Sequence, residues 1–112
     1  MQTVAETAYY AQRAAKLLSG AERDAVIKTV AADPLAGDLI QGTGGLRKLR
    51  FGKGGRGKSG GVRVIYYYYD EAMPIFMVDI FGKNEKSDLS QAERNSLAKL
   101  VAVMKGNRRR VS

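Results

Sequence analysis

The 112-residue sequence predicts an α+β domain with two N-terminal helices, a twisted antiparallel β-sheet and a C-terminal helix. Three observations predict it. Apolar residues recur at helical spacing in the first 32 residues and again after Ser90, and at the two-residue period of strands between them. Ser-x-x-Glu capping boxes stand at Ser19/Glu22 and Ser90/Glu93, where the second and the last helix should begin. The strand-like runs follow one another with short links, which favours an antiparallel meander over crossover connections. The helices are expected to cover one face of this sheet and leave the other to a ligand.

In chain order, Thr3 to Glu6 is a short, weakly specified edge strand. Ala8 to Leu18 reads as a helix, with Tyr10, Ala14 and Leu17 on one face. The second helix starts at the Ser19 cap and carries Val26, Ile27 and Val30 inward. Asp33-Pro34 ends it, because proline disfavours helical geometry in the residue before it. Leu35 to Ile40 is a connector. Leu46 to Phe51 alternates, Lys48 and Arg50 to one side and Leu49 and Phe51 to the other. Val62 to Tyr69 is β-branched and aromatic, a strand composition. Pro74 to Phe81 is the third long strand, with Phe76, Val78 and Ile80 expected on one face. Gly82 breaks it. Leu97, Leu100, Val101 and Met104 form the stripe of the last helix. Residues 1–106 make one domain, and 107–112 a basic tail expected to fray from Gly106.

The charge is not spread evenly. The net charge is +8, and Gln41 to Tyr69 alone supplies +7 of it, with seven cations, nine glycines and no carboxylate. Surfaces evolved only for solubility interleave both signs, so this concentration points to a phosphate-rich partner. The chain has neither histidine nor cysteine. The commonest metal ligand and general base are therefore missing, as is any thiol chemistry. No apolar run approaches the roughly 20 residues of a membrane span, and the N-terminus lacks the pattern of a secretory signal.

Gly52 to Ser59 reads GKGGRGKS and fits the phosphate-loop pattern G-x-x-x-x-G-K-[ST]. That motif works only where a helix follows the loop and its amides cradle phosphate. Here Gly60-Gly61 and then the strand beginning at Val62 follow. The match is read as chance in a Gly/Lys/Arg-rich segment, and Gly52 to Gly61 as a basic loop whose Lys53, Arg56 and Lys58 track a nucleic-acid backbone, together with Arg47 and Lys86.

Lys48, Arg50 and Arg63 converge at one end of the sheet if their strands pair, and Lys83 leaves the third strand close by. Cations placed where charge develops stabilise a phosphorane-like transition state. In RNA the 2′-hydroxyl is an internal nucleophile, so no metal or cofactor is called for. A proton acceptor is still required. A lysine crowded by cations has its pKa lowered, arginine is a poor base, and Glu85 and the tyrosines are the alternatives. Tyr66 to Tyr69 send two rings to each face, one pair into the core and the other, with Tyr67, available to stack on bases.

GTGGLRKLR (42–50), the basic glycine loop, GGVRVIYY (60–67) and GKNEKSDL (82–89) resemble, in that order, the HigB-type branch of the RelE superfamily of toxins. The resemblance covers about Ala32 to Lys105 and implies the RelE-like form of the α+β fold just described. It implies a cytoplasmic, metal-independent endoribonuclease that cuts A-site mRNA on the 70S ribosome and inhibits translation, leaving a cyclic or 3′ phosphate. It also implies a cognate antitoxin with a helix-turn-helix domain, through which alone the pair meets operator DNA. By position it implies Arg63 as the chief active-site arginine, Lys48 and Arg50 on the basic strand, and Lys83 as the cation after the next strand. Several relatives carry a tyrosine near the C-terminus for proton transfer or base stacking, whereas this chain has none after Tyr69, which leaves Glu85 or Lys83 for proton transfer, or a 2′-hydroxyl oriented largely by the ribosome. Two other readings stay open: a ParE-like inhibitor of DNA gyrase, and a non-catalytic RNA- or ribosome-binding module.

Overall fold

A computed structural model describes residues 2–52 and 61–111, with side chains to Gly106. The elements run β1 (Val4–Glu6), α1 (Ala8–Leu17), α2 (Gly20–Ala32), β2 (Asp38–Leu39), β3 (Leu46–Phe51), β4 (Val62–Tyr67), β5 (Ile75–Gly82) and α3 (Gln91–Val111). Both predicted capping boxes form. The Glu22 amide donates to Ser19 Oγ at 3.1 Å and the Ser19 amide to Glu22 Oε1 at 2.8 Å. Ser90 and Glu93 repeat the exchange at 3.1 and 2.8 Å. A third cap, Thr7, accepts the Tyr10 amide and starts α1. α3 does not stop at Gly106 but continues helical to Val111.

The sheet order is β1-β5-β4-β3-β2. β3, β4 and β5 make the expected antiparallel meander. The sheet is nevertheless mixed, because β1 joins β5 in parallel, Val4 beside Ile75. β2 is a two-residue edge formed inside the predicted connector, and β4 ends at Tyr67, two residues short of the expected end.

All six residues of β4 are buried, which requires cover on both faces. α1 and α2 place Tyr10, Ala14, Val26 and Val30 against Val62, Val64 and Tyr66. On the opposite face Leu97, Val101 and Met104 of α3 pack with Leu46, Ile65, Tyr67, Val78 and Phe81. The expectation of a ligand face left bare by the helices is thus corrected: Ile65, Tyr67 and Phe81 are too apolar to face water, each contributing about 1.5–3 kcal/mol when buried, and α3 covers them.

A β-bulge explains a second correction. The β4–β5 register passes from Ile65↔Asp79 to Tyr66↔Met77 and skips Val78. One extra residue reverses the alternation beyond it. Phe76 and Val78 therefore lie on the α3 side while Ile80 joins Ile75 and Met77 on the α1/α2 side, rather than all three sharing a face. Phe81, beyond the bulge, returns to the α3 side.

The connector before β3 is fastened to the sheet. The Tyr66 hydroxyl donates to the Pro34 carbonyl and accepts from the Gly37 amide, both at 2.8 Å. A tight turn then leads into β3, with Gly42 and Gly44 at φ 78°, a left-handed conformation that glycine adopts without steric cost. The hydroxyls of Tyr10 and Tyr67, by contrast, are buried without a hydrogen-bond partner among the described residues. Tyr66→Phe should destabilise the domain by roughly 1–3 kcal/mol, since it strands the Gly37 amide. Tyr67→Phe, which deletes an orphaned hydroxyl, should change stability by less than about 0.5 kcal/mol. Urea melts of the two variants check this contrast.

Candidate active site

The register of β3 on β4 sets Arg50 directly opposite Arg63 and Lys48 opposite Ile65. Strand alternation puts all three cations on the α3 side. Directly paired Cα atoms in an antiparallel ladder lie about 4.5–5.5 Å apart, and like charges so placed repel. Arg63 is 8% exposed, its Nη1 donating to the Val62 carbonyl at 3.4 Å, while Arg50 is open to solvent. Neither guanidinium enters an ion pair among the described residues. The 41–69 segment contains no carboxylate to supply one. Among the described residues nothing neutralises the pair, a half-sunken positive site.

The cations around it are held differently. Lys48 Nζ pairs with Asp88 Oδ2 at 3.1 Å, and the same oxygen takes Arg94 Nη2 at 3.2 Å. Lys86 pairs with Glu93 and sits 4.9 Å above the Phe81 ring centre, a cation–π distance. At Asp88 burial raises the pKa, but the Leu89 amide, Lys48 and Arg94 outweigh it and hold the carboxyl below its ordinary range. The Lys86 ammonium, then the Ser90 amide, do the same for Glu93. These pairs are partly exposed, so each is worth little to stability. They fix Lys48 and Lys86 in direction.

Lys83 is exposed in the turn after β5, and its amide donates to the Gly61 carbonyl at 3.2 Å. That bond ties the turn to the start of β4, two residues before Arg63. Glu85 accepts the Gly82 amide at 3.1 Å and Arg13 Nη2 at 2.6 Å. The Gly82 amide, ahead of Arg13, lowers its pKa. A carboxylate so stabilised is a weak proton acceptor.

Two residues expected to meet RNA sit elsewhere. Tyr67 is 1% exposed, enclosed under α3, and burial, followed by Tyr69 and Asp70, pushes its phenol up to about 12. Stacking on a base needs an open ring face, which Tyr67 lacks. Its neighbour Tyr69, 6.4 Å away by ring centres, is 47% exposed. Arg47 lies on the α1/α2 side opposite Tyr66 and donates to the Gly37 carbonyl at 2.7 Å, bracing the connector. Lys53, Arg56 and Lys58 lie outside the described residues. A cleft of about 390 Å³ bordered by Gln2, Ala31, Pro34, Tyr68 and Glu71 holds none of these cations.

Arg13 and Asp79 escape sequence reasoning, since nothing in their spacing joins them. Asp79 is 6% exposed; its Oδ1 accepts the Ile80 amide at 2.7 Å and lies 4.0 Å from Arg13 Nε.

A family model for the RelE toxin of the RelE/RelB toxin–antitoxin system matches residues 5–110. The chain belongs to the RelE toxin family. The three helices and five-stranded mixed sheet of the described residues agree with a RelE-like fold. A RelE toxin is paired with a cognate antitoxin, and RelE toxins typically are endoribonucleases. Among the described residues of this RelE-family chain no helix is long and apolar enough to cross a membrane.

Burial raises the pKa of Asp79, against the Ile80 amide, Lys86 and Arg13. Its charged form therefore costs stability, a cost that begins as pH rises past the unfolded value of 3.8 and is complete above the raised folded value. Asp79→Asn, which keeps an oxygen for the Ile80 amide, should melt higher than the wild type at pH 7. The gap should close by about pH 3, where both side chains are neutral. Thermal melts across pH measure this.

Proposed function

We propose that this RelE-family chain is a ribosome-dependent mRNA endoribonuclease of the HigB type, acting in the cytoplasm to inhibit translation. The observation that carries the reading is the Arg50–Arg63 pair. Two like charges opposed across a ladder destabilise the free sheet, and an anion between them reverses that cost. A phosphodiester bound there presents two non-bridging oxygens, which planar guanidinium forks match bidentately.

In the proposed reaction the ribose 2′-oxygen attacks the adjacent phosphorus and the bond from phosphorus to the 5′-oxygen breaks. A 2′,3′-cyclic phosphate and a 5′-hydroxyl result. The 2′-hydroxyl gives its proton to a water molecule and the departing 5′-oxygen gains one. Arg63, sunk into the sheet, and Arg50 stabilise the extra negative charge on the pentacovalent phosphorus. Lys83, exposed and in no ion pair among the described residues, supplies the proton to the 5′-oxygen. Lys48, tethered to Asp88, and Lys86, tethered to Glu93, guide the strand. The loop cations Lys53, Arg56 and Lys58 follow its backbone. Glu85 supports the turn that bears Lys83 and is not the base. The ribosome orients the 2′-hydroxyl, and a helix-turn-helix antitoxin neutralises the toxin and carries it to operator DNA.

Expression of the wild type should arrest growth, and primer extension on cellular mRNA should find in-frame cuts. Arg63→Ala should abolish both while the protein still melts cooperatively, its cleavage rate falling by about 10²–10³-fold, the usual loss for one transition-state donor. Intact mRNA together with DNA damage would overturn the reading in favour of gyrase inhibition.

A further inference from the structure

We infer that Arg13 is a positioning residue for cleavage, acting from α1 on the turn that carries Lys83; the inference rests on the endoribonuclease reading of that turn. Among the described residues β1 pairs with β5 along Ile75 to Met77, and no strand pairs with the outer edge of β5 beyond Met77. Arg13 reaches across this edge. Its Nε donates to the Ile80 carbonyl at 2.8 Å, and its Nη2 to Glu85 Oε1 at 2.6 Å. The same Glu85 oxygen accepts the Gly82 amide at 3.1 Å, and the Glu85 amide returns a bond to the Gly82 carbonyl at 3.0 Å. Lys83 therefore sits between two residues that are locked to each other, and one of them is locked to α1. Its own amide is held by Gly61.

The guanidinium suits this task because its planar fork serves a carbonyl and a carboxylate at once. An ammonium is a compact charge that serves one acceptor direction well. Nor is α1 held to the sheet by Arg13 alone, since Tyr10 and Ala14 are fully buried against the core. Loss of the fork therefore frees the turn more than it frees the helix. An error of about 1 Å in a group acting on the transition state can cost on the order of 10²-fold in rate, so a loosened Lys83 turn should appear in the chemical step.

The test compares wild type, Arg13→Ala, Lys83→Ala and the double variant in single-turnover cleavage of mRNA on programmed ribosomes. Arg13→Ala should slow the chemical step by roughly 10–100-fold with the half-saturating ribosome concentration unchanged. Added to Lys83→Ala it should cost nothing further, since a residue acting through another is silent once that other is gone. Arg13→Lys keeps a donor near the sheet edge and guards against loss of folding; it should show the same pattern with a smaller deficit. Full activity of Arg13→Ala, or deficits that multiply in the double variant, would overturn the inference. A wild-type rate for Lys83→Ala would overturn it as well. Amide exchange, read without any RNA, separates this from failure of the nuclease reading. In Arg13→Ala the Gly82 amide should exchange faster while Ala14 and Val64 keep their protection. Unchanged exchange at Gly82 would sink the clamp even if the protein cuts mRNA as proposed.

Discussion

The structure depends on the burial of β4. A strand with all six residues out of water must have neighbours on both edges and cover on both faces. β3 and β5 supply the edges, and α1/α2 and α3 the faces. Arg63 is the one charged residue on this strand, and burying a guanidinium is costly unless something compensates it. It lies near the start of β4, where the α3-side core gives way to the turn after β5. The position of the candidate site is thus a consequence of where the apolar cover runs out.

Electrostatics then sort the cations by role. Lys48, Lys86, Arg13 and Arg94 are each matched with a carboxylate drawn from Asp79 to Glu93. Those acids hold the basic rim in shape, and their lowered pKa values follow from the contacts. Among the described residues Arg50 and Arg63 have no such partner. A positive field that is structurally organised by acids on one side and open on the other is what attraction of a polyanion demands.

The parts of this arrangement that were legible in the sequence are those written in local signals. Capping boxes, helical stripes and strand alternation give α1 to α3 and β3 to β5, and alternation places Lys48 and Arg50 together. The rest depends on non-local events. The skipped Val78 turns Ile80 over relative to Phe76, and a bulge leaves no mark in a regular apolar run. Parity tells that Tyr67 and Tyr69 share a face, but only the path of α3 decides that the first is enclosed and the second open. Arg13 reads as an ordinary surface cation of a helix, because its acceptors lie 67 and 72 residues away. Asp79 is disguised as a polar interruption of a strand.

Those separations have a consequence for the order in which the molecule comes into being. A chain emerging from a ribosome presents β1 and Arg13 long before Ile80 and Glu85 have been made. Until then β1 has no strand to pair with and Arg13 has neither acceptor. The turn between β5 and α3 therefore takes its final form only after Glu85 has been synthesised, so the basic rim matures well after β1 and α1 have left the ribosome.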